Sequence, residues 1–168
     1  LRLGARAAEV LQAHMRAAGP RFRGIRHIAA WDADRLLLNP GNPAPPGLLL
    51  DAEFREGFAC LAPLGLSFDA WLYQRQIDEL TDLARAFPNT GIVLNHFGGP
   101  LGIGADQRQR EALFPEWAAS IRRLAACPNV FAKLGGLGMR INGFGFEDAA
   151  DPPGSTALAA AWKPYMQT

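Results

Sequence analysis

The sequence predicts an α/β fold built on a parallel sheet, and three observations carry that reading. The run Thr90-Gly91-Ile92-Val93-Leu94-Asn95-His96-Phe97-Gly98-Gly99-Pro100 is apolar without polar alternation and bounded by turn residues, as expected of a strand covered on both faces. Four such runs alternate with helical stretches in the order α-β-α-β-α-β-α-β-α, which implies right-handed crossovers between parallel strands. The 168 residues are 49% hydrophobic and 20% charged, ample for one core and unlike a disordered chain.

Taken in order, residues 5–18 read as an amphipathic helix with Ala7, Val10, Leu11, His14 and Ala18 on one stripe, stopped by Gly19-Pro20. The spacing places His14 with the packing rather than with a metal. Phe22 to Ile28 reads as the first strand. A loop of about twenty residues follows through Trp31-Asp32-Ala33-Asp34 and the Pro/Gly-rich 39–47, expected to pack as a lid. Asp51 caps a helix using Phe54, Phe58 and Leu61, closed by Gly65.

Leu66 to Tyr73 is an aromatic-rich strand. Ile77, Leu80, Thr81, Ala84 and Phe87 make the next amphipathic helix, ended by Pro88. After the central strand and the loop 98–106, helical periodicity restarts at Pro115, a residue suited to a first turn, and continues through Trp117, Ile121, Leu124 and Ala125. Val130 to Leu134 reads as the fourth strand. Beyond the Gly-rich 135–154, Ser155 caps a last helix with Leu158, Ala161, Trp162 and Tyr165 inward. No domain boundary is visible. Four strands mean either a small open α/β sheet or about half of a (β/α)8 barrel, which needs roughly 200 residues or more.

Composition excludes several classes. Net charge is +1 with both signs scattered, so no nucleic-acid stripe or membrane patch is expected. No apolar segment is long enough to span a bilayer and no signal peptide is evident. Cys60 and Cys127 read as buried free thiols, which makes the cytoplasm the default location. Walker and dinucleotide motifs, a nucleophile elbow and paired-cysteine zinc sites are all missing from the sequence.

In parallel α/β folds the chemistry gathers at the C-terminal strand ends. Those ends offer Arg26 and His27, then Trp71, Tyr73 and Gln74, then Asn95 and His96, then Lys133. Because side chains alternate, only one of each neighbouring pair faces the interior; His96 shares parity with Ile92 and Leu94, and Tyr73 with Trp71 and Asp69. An imidazole closing a dry strand is costly without a task, which makes His96 the leading functional residue. Arg26 has a carboxylate pairing as its structural alternative, and His27 a place under a helix. Trp71 and Tyr73 serve equally as core aromatics or substrate walls. Lys133 in an apolar strand needs a partner or water, and Asp69, deeper in its strand, suits a salt bridge.

Phe22-Arg23-Gly24-Ile25-Arg26-His27, Gly65 to Tyr73, Ile92 to Pro100 and Asn129 to Met139 together resemble the amidohydrolase-related family of TIM-barrel hydrolases, similar to the sugar-acid lactonases and the pyrone-dicarboxylate lactonase. The resemblance runs nearly end to end and makes residues 1–168 one partial (β/α) barrel of about four βα units, barrel strands three to six. It implies water-mediated hydrolysis of a lactone or related ester, with a small-molecule substrate and neither nucleic acid nor membrane as partner. His96 matches the family's fifth-strand His, as catalytic residue and, only where a mononuclear site exists, metal ligand. Arg26, Trp71, Tyr73 and Lys133 would surround the substrate.

The departures are as informative. The sequence holds no His-x-His pair, and no counterpart of the family's eighth-strand Asp. A two-metal centre is not expected, and the resemblance leaves the cofactor open between one divalent metal, zinc or manganese, and none. The 168 residues alone are expected to be a fragment without turnover, with two strand edges available for self-association. Decarboxylation by a related barrel and a non-catalytic binding module remain the alternative functions.

Overall fold

The computed structural model describes residues 1–38, 41, 43–104 and 110–168. The expected residues Asn39, Pro40 and Asn42 of the first loop, and 105–109 of the later one, lie outside the described residues. The elements are α1 (Ala7–Ala18), β1 (Gly24–Ile28), α2 (Ala52–Ala59), β2 (Ser67–Trp71), α3 (Ile77–Ala86), β3 (Ile92–Leu94), α4 (Arg110–Ala125), β4 (Val130–Ala132) and α5 (Ser155–Met166), joined partly by short 3-10 turns. The strands form one parallel sheet in the order β1-β2-β3-β4. This is a partial (β/α) barrel, and β1 and β4 are its two edges.

Register decides what faces where. Ile25, Phe68, Ile92 and Val130 lie side by side across the sheet, as do Arg26, Asp69, Val93 and Phe131. The first row points under the helices: Phe68 and Ile92 are fully buried, and Phe68 sits against Phe54 at 6.2 Å and Phe58 at 5.0 Å between ring centroids. The second row points to the opposite, open face, where Arg26 and Phe131 are exposed. A sheet whose charged groups lie on one side only is what a barrel interior near its mouth looks like.

Local chemistry explains the element ends. The Asp51 carboxylate accepts a hydrogen bond from the Phe54 N–H at 2.8 Å and so caps α2. Asn129 donates its amide to the carbonyls of Ala84, Phe87 and Thr90, closing the C-terminal end of α3 against the start of β4. The start of the first loop, at Trp31 and Leu37, packs down: the Tyr73 hydroxyl donates to the Leu37 carbonyl at 2.5 Å, and Gln76 bridges both backbone groups of Trp31. Cys60 and Cys127 are free thiols, half-buried and buried respectively.

Three sequence expectations are corrected. α4 contains Pro115 in its interior rather than in its first turn; the ring's missing N–H would have met a carbonyl on a solvent-facing stretch, where water replaces the lost bond. Ser155 is the first helical residue of α5, and Gly154 in extended geometry occupies the cap without a side-chain bond. Val10 and His14 are exposed, the buried stripe of α1 being Ala7 and Leu11, and His14 stacks on Phe22 at 5.6 Å instead. Among the described residues no helix is long and apolar enough to cross a membrane.

His27 points under α2, edge-on to Phe54 at 5.3 Å. Burial, helped by the positive charges of the Leu1 amine and Arg2, lowers its pKa from 6.5 to about 4. The unfolded chain therefore binds this proton at higher pH than the folded one. The contribution is complete above pH 6.5 and is lost as pH falls through about 4. Discounted for partial exposure, it amounts to about 1–2 kcal/mol. Thermal midpoints should decline from pH 6.5 to 4, and His27→Phe should flatten that decline. An unchanged slope in the variant would show that other groups carry it.

Candidate functional site

The open face gathers its polar groups around Asp69. Lys133 Nζ, from just beyond β4, lies 2.5 Å from Asp69 Oδ2. Asn95 Nδ2, from the end of β3, donates to the same oxygen at 3.3 Å and to the Val93 carbonyl at 3.2 Å. Arg26, beside Asp69 in the ladder, places its guanidinium 3.6 Å away. Four strands thus meet at one carboxylate oxygen. Burial pushes the Asp69 carboxyl up, but the hydrogen bonds from Lys133 and Asn95 and the charges of Lys133 and Arg26 outweigh it, holding it below the usual carboxylate range.

The side chains of Arg26 and Lys133 remain 51% and 46% exposed, so each ion pair is worth about 0–1 kcal/mol to stability. Their lasting effect is positional. The carboxylate holds two cations pointing into the open face and leaves their outer surfaces free for a ligand. Asn95 is fully buried, and its Oδ1 has no hydrogen-bond partner among the described residues.

His96 reaches this region by an unexpected route. Had β3 continued, alternation would have sent His96 under the helices with Ile92 and Leu94, which are buried. The strand stops at Leu94, and His96 and Phe97 adopt left-handed conformations at φ +52° and +56°, followed by Gly98 at +68° and Gly99 at +49°. For non-glycine residues this costs roughly 1–2 kcal/mol each. The turn is held from three sides. Trp117 Nε1 donates to the Phe97 carbonyl at 2.8 Å, Gly98 abuts Ile77, and Gly99 lies so close to the Leu72 carbonyl that a Cβ would stand 2.6 Å from it.

The turn swings the imidazole back toward the strand tips. Its ring stands edge-on to Trp71 at 5.3 Å, and Trp71 in turn contacts Tyr73 at 6.1 Å. On its other side lies Gly136, in the loop after β4, where a Cβ would come within 2.6 Å of His96 Cβ, Cγ and Nδ1. Asn142 fixes that loop by donating to the carbonyls of Gly136 at 2.7 Å and Leu137 at 3.0 Å. His96 Nδ1 is buried with no hydrogen-bond partner among the described residues. Strain plus an orphaned polar atom at one residue is a combination that folding alone does not favour.

Of the residues picked from sequence, Arg26 and Lys133 meet at Asp69, and Trp71 and His96 touch each other. Tyr73 meets Trp71 edge-on but is itself 5% exposed and packs with Ala30, Leu37 and Leu101, its hydroxyl donating to the Leu37 carbonyl. Asp69 and Asn95 are the members that sequence reading undervalued. The signal for them was parity, since Asp69 aligns with Trp71 and Asn95 lies two residues after Val93. Among the described residues no group of three or more His, Cys, Asp or Glu converges, and the Asp69 carboxylate is already engaged by two cations.

Comparison with known proteins follows the same lines. The profile of the amidohydrolase family matches residues 4–165. An uncharacterized protein of Sinorhizobium fredii is 38% identical over 133 residues, covering 78% of this chain and 40% of that protein. An L-fucono-1,5-lactonase of Burkholderia multivorans is 31% identical over 120 residues, covering 71% of this chain and 36% of its own length. The chain therefore spans well under half of these relatives. A crystal structure of an amidohydrolase from Burkholderia multivorans with bound HEPES superimposes with a TM-score of 0.64 at 25% identity, over 98% of this chain and 53% of that one. A second, with bound zinc, gives 0.60 at 24% identity and speaks to the fold.

Proposed function

Because the chain belongs to the amidohydrolase family, we propose that it contributes the substrate-holding half of a lactone-hydrolysing site. The observation that supports this most directly is the left-handed turn that brings His96 against Trp71 and Gly136, at a cost that packing alone does not explain. The likeness to an L-fucono-1,5-lactonase favours a sugar-acid lactone as the substrate class.

In such a reaction water adds to the lactone carbonyl, the ring C–O bond breaks, and a proton goes to the departing ring oxygen to give the hydroxy acid. With Nδ1 buried, Nε2 is the nitrogen available to meet the carbonyl oxygen, where a ring N–H stabilises the developing oxyanion. Lys133 and Arg26, held by Asp69, hydrogen-bond the sugar hydroxyls and then the product carboxylate. Trp71 gives the flat apolar wall. No residue of this chain is assigned as the base that takes a proton from the attacking water.

The test is ligand binding, read as quenching of Trp71 fluorescence by L-fucono-1,5-lactone or its hydrolysed acid, with Trp71→Phe as the blank. His96→Gly should weaken binding at least tenfold. Its stability should stay within about 1 kcal/mol of the wild type, because relief of left-handed strain offsets the lost ring contact. Lactone hydrolysis by the 168 residues, followed with a pH indicator, should not exceed the uncatalysed rate. Equal binding by wild type and His96→Gly would refute the reading. Turnover that disappears in His96→Ala would place the base inside this chain.

A further inference from the structure

We propose that Asn142, in the loop after β4, is the positioning residue of His96 and holds the imidazole in place through Gly136. The inference rests on the reading of His96 as the residue that meets the substrate carbonyl, and it gives that residue a support far from it in sequence.

The Asn142 amide is committed in one direction. The residue is 1% exposed, and its Nδ2 donates to two successive carbonyls, Gly136 at 2.7 Å and Leu137 at 3.0 Å. The Gly136 carbonyl also accepts the Met139 N–H at 3.0 Å. Asn142 Oδ1 is buried with no hydrogen-bond partner among the described residues. Turning the amide over would set that oxygen against two carbonyl oxygens, so its orientation is fixed by the donors. An aliphatic residue would leave no orphaned acceptor here. What the amide alone supplies is the direction of the two carbonyls.

That direction governs the contact with His96. Gly136 stands at φ +82°, and the place of its absent Cβ lies 2.6 Å from Cβ, Cγ and Nδ1 of His96. The peptide that Asn142 holds is therefore the wall against which the imidazole rests. Tilting it moves the ring relative to Trp71, which the ring meets edge-on at 5.3 Å.

The tie also closes on itself. Gly102, on the segment that leaves His96 toward α4, donates its N–H to the Ile141 carbonyl at 2.8 Å. A Cβ on Gly102 would stand 2.2 Å from the Asn142 carbonyl oxygen, and one on Gly143 would stand 1.9 Å from the Gly102 oxygen. Arg110 Nη1 donates to the Gly143 carbonyl at 3.1 Å. The backbone of Asn142 is thus anchored to the segment that carries His96, while its side chain holds the loop that supports the ring. His96, Gly102, Asn142 and Gly136 make one closed circuit, and the Asn142 amide is the side-chain link in it.

The experiment follows the His96 imidazole by proton–carbon NMR of the 168-residue chain, which has three histidines, with His96→Gly assigning the signal. In the wild type one Gly136 α-proton should show a nuclear Overhauser effect to the His96 β-protons. Asn142→Ala should shift the imidazole signals and weaken binding of L-fucono-1,5-lactone or its acid, read as Trp71 quenching, by about fivefold. Asn142→Ser, with one donor for two carbonyls, is read in the same way where the alanine variant does not fold. Gly145→Ala lies in the same loop with open space at its Cβ, and should lower the unfolding midpoint while leaving signals and binding in place. In a His96→Gly background, Asn142→Ala should change binding by less than about twofold. Unmoved imidazole signals in a folded Asn142 variant, a missing Overhauser effect, or independent losses in the double variant overturn the proposal. Binding that survives His96→Gly sinks the functional reading instead, and the imidazole signals still decide what Asn142 holds.

Discussion

Gly136→Ala should abolish ligand binding as thoroughly as removing the His96 imidazole, and should destabilise the chain by about 2–4 kcal/mol. Two terms add. Gly136 has φ +82°, so any side chain there carries left-handed strain of roughly 1–2 kcal/mol. The new methyl group would also stand 2.6 Å from three His96 atoms, and neither partner can yield cheaply. Asn142 pins the Gly136 carbonyl, while Trp117 and the Leu72 carbonyl pin the turn carrying His96. Gly145→Ala separates the terms, because Gly145 has φ +71° with open space around its missing Cβ. Denaturant midpoints and Trp71 quenching should show Gly145→Ala losing about 1–2 kcal/mol with binding intact. If the two variants behave alike, His96 is not held by Gly136.

That prediction could not have been made from the sequence, and the reason is specific. The alternation of strands and helices was legible because uninterrupted apolar runs such as Ile92-Val93-Leu94 and the three- and four-residue spacing of Ile77, Leu80 and Ala84 are set by burial, which one sequence records directly. The side of the sheet on which His96 falls was not. Counting by twos from Leu94 sends it under the helices, and only the left-handed pair His96-Phe97 reverses that. The pair is stabilised from outside the strand, by Trp117 some twenty residues on and by Gly136 forty residues on, contacts that leave no local signature. Asp69 was visible as a salt-bridge candidate, yet its role as the meeting point of Arg26, Asn95 and Lys133 depends on the register of four strands. Pro115 shows the converse error: a residue with a strong local preference sits inside α4 because its face of the helix is wet.

The largest loss of stability should come from Phe68→Ala, about 3–5 kcal/mol. Phe68 is fully buried at the centre of the covered face, with Ile25 and Ile92 beside it in the ladder and the rings of Phe54 and Phe58 above. Phe54 and Phe58 are themselves fully buried, and Phe58 is backed by Phe87 at 5.0 Å, so the group cannot collapse far into the space. Domains of this kind are stable by only about 5–15 kcal/mol, and a loss of that size leaves a large unfolded fraction at room temperature. Phe68→Leu should cost markedly less, because most of the volume is kept. Phe131→Ala is the matched change on the other face, and in dilute solution it should cost under about 0.5 kcal/mol because the ring is already in water. The ratio of the two losses measures which side of the sheet is the core. Were Phe131 the costlier residue, the face carrying Arg26, Asp69 and Lys133 would be the packed one, and no ligand could reach the cluster.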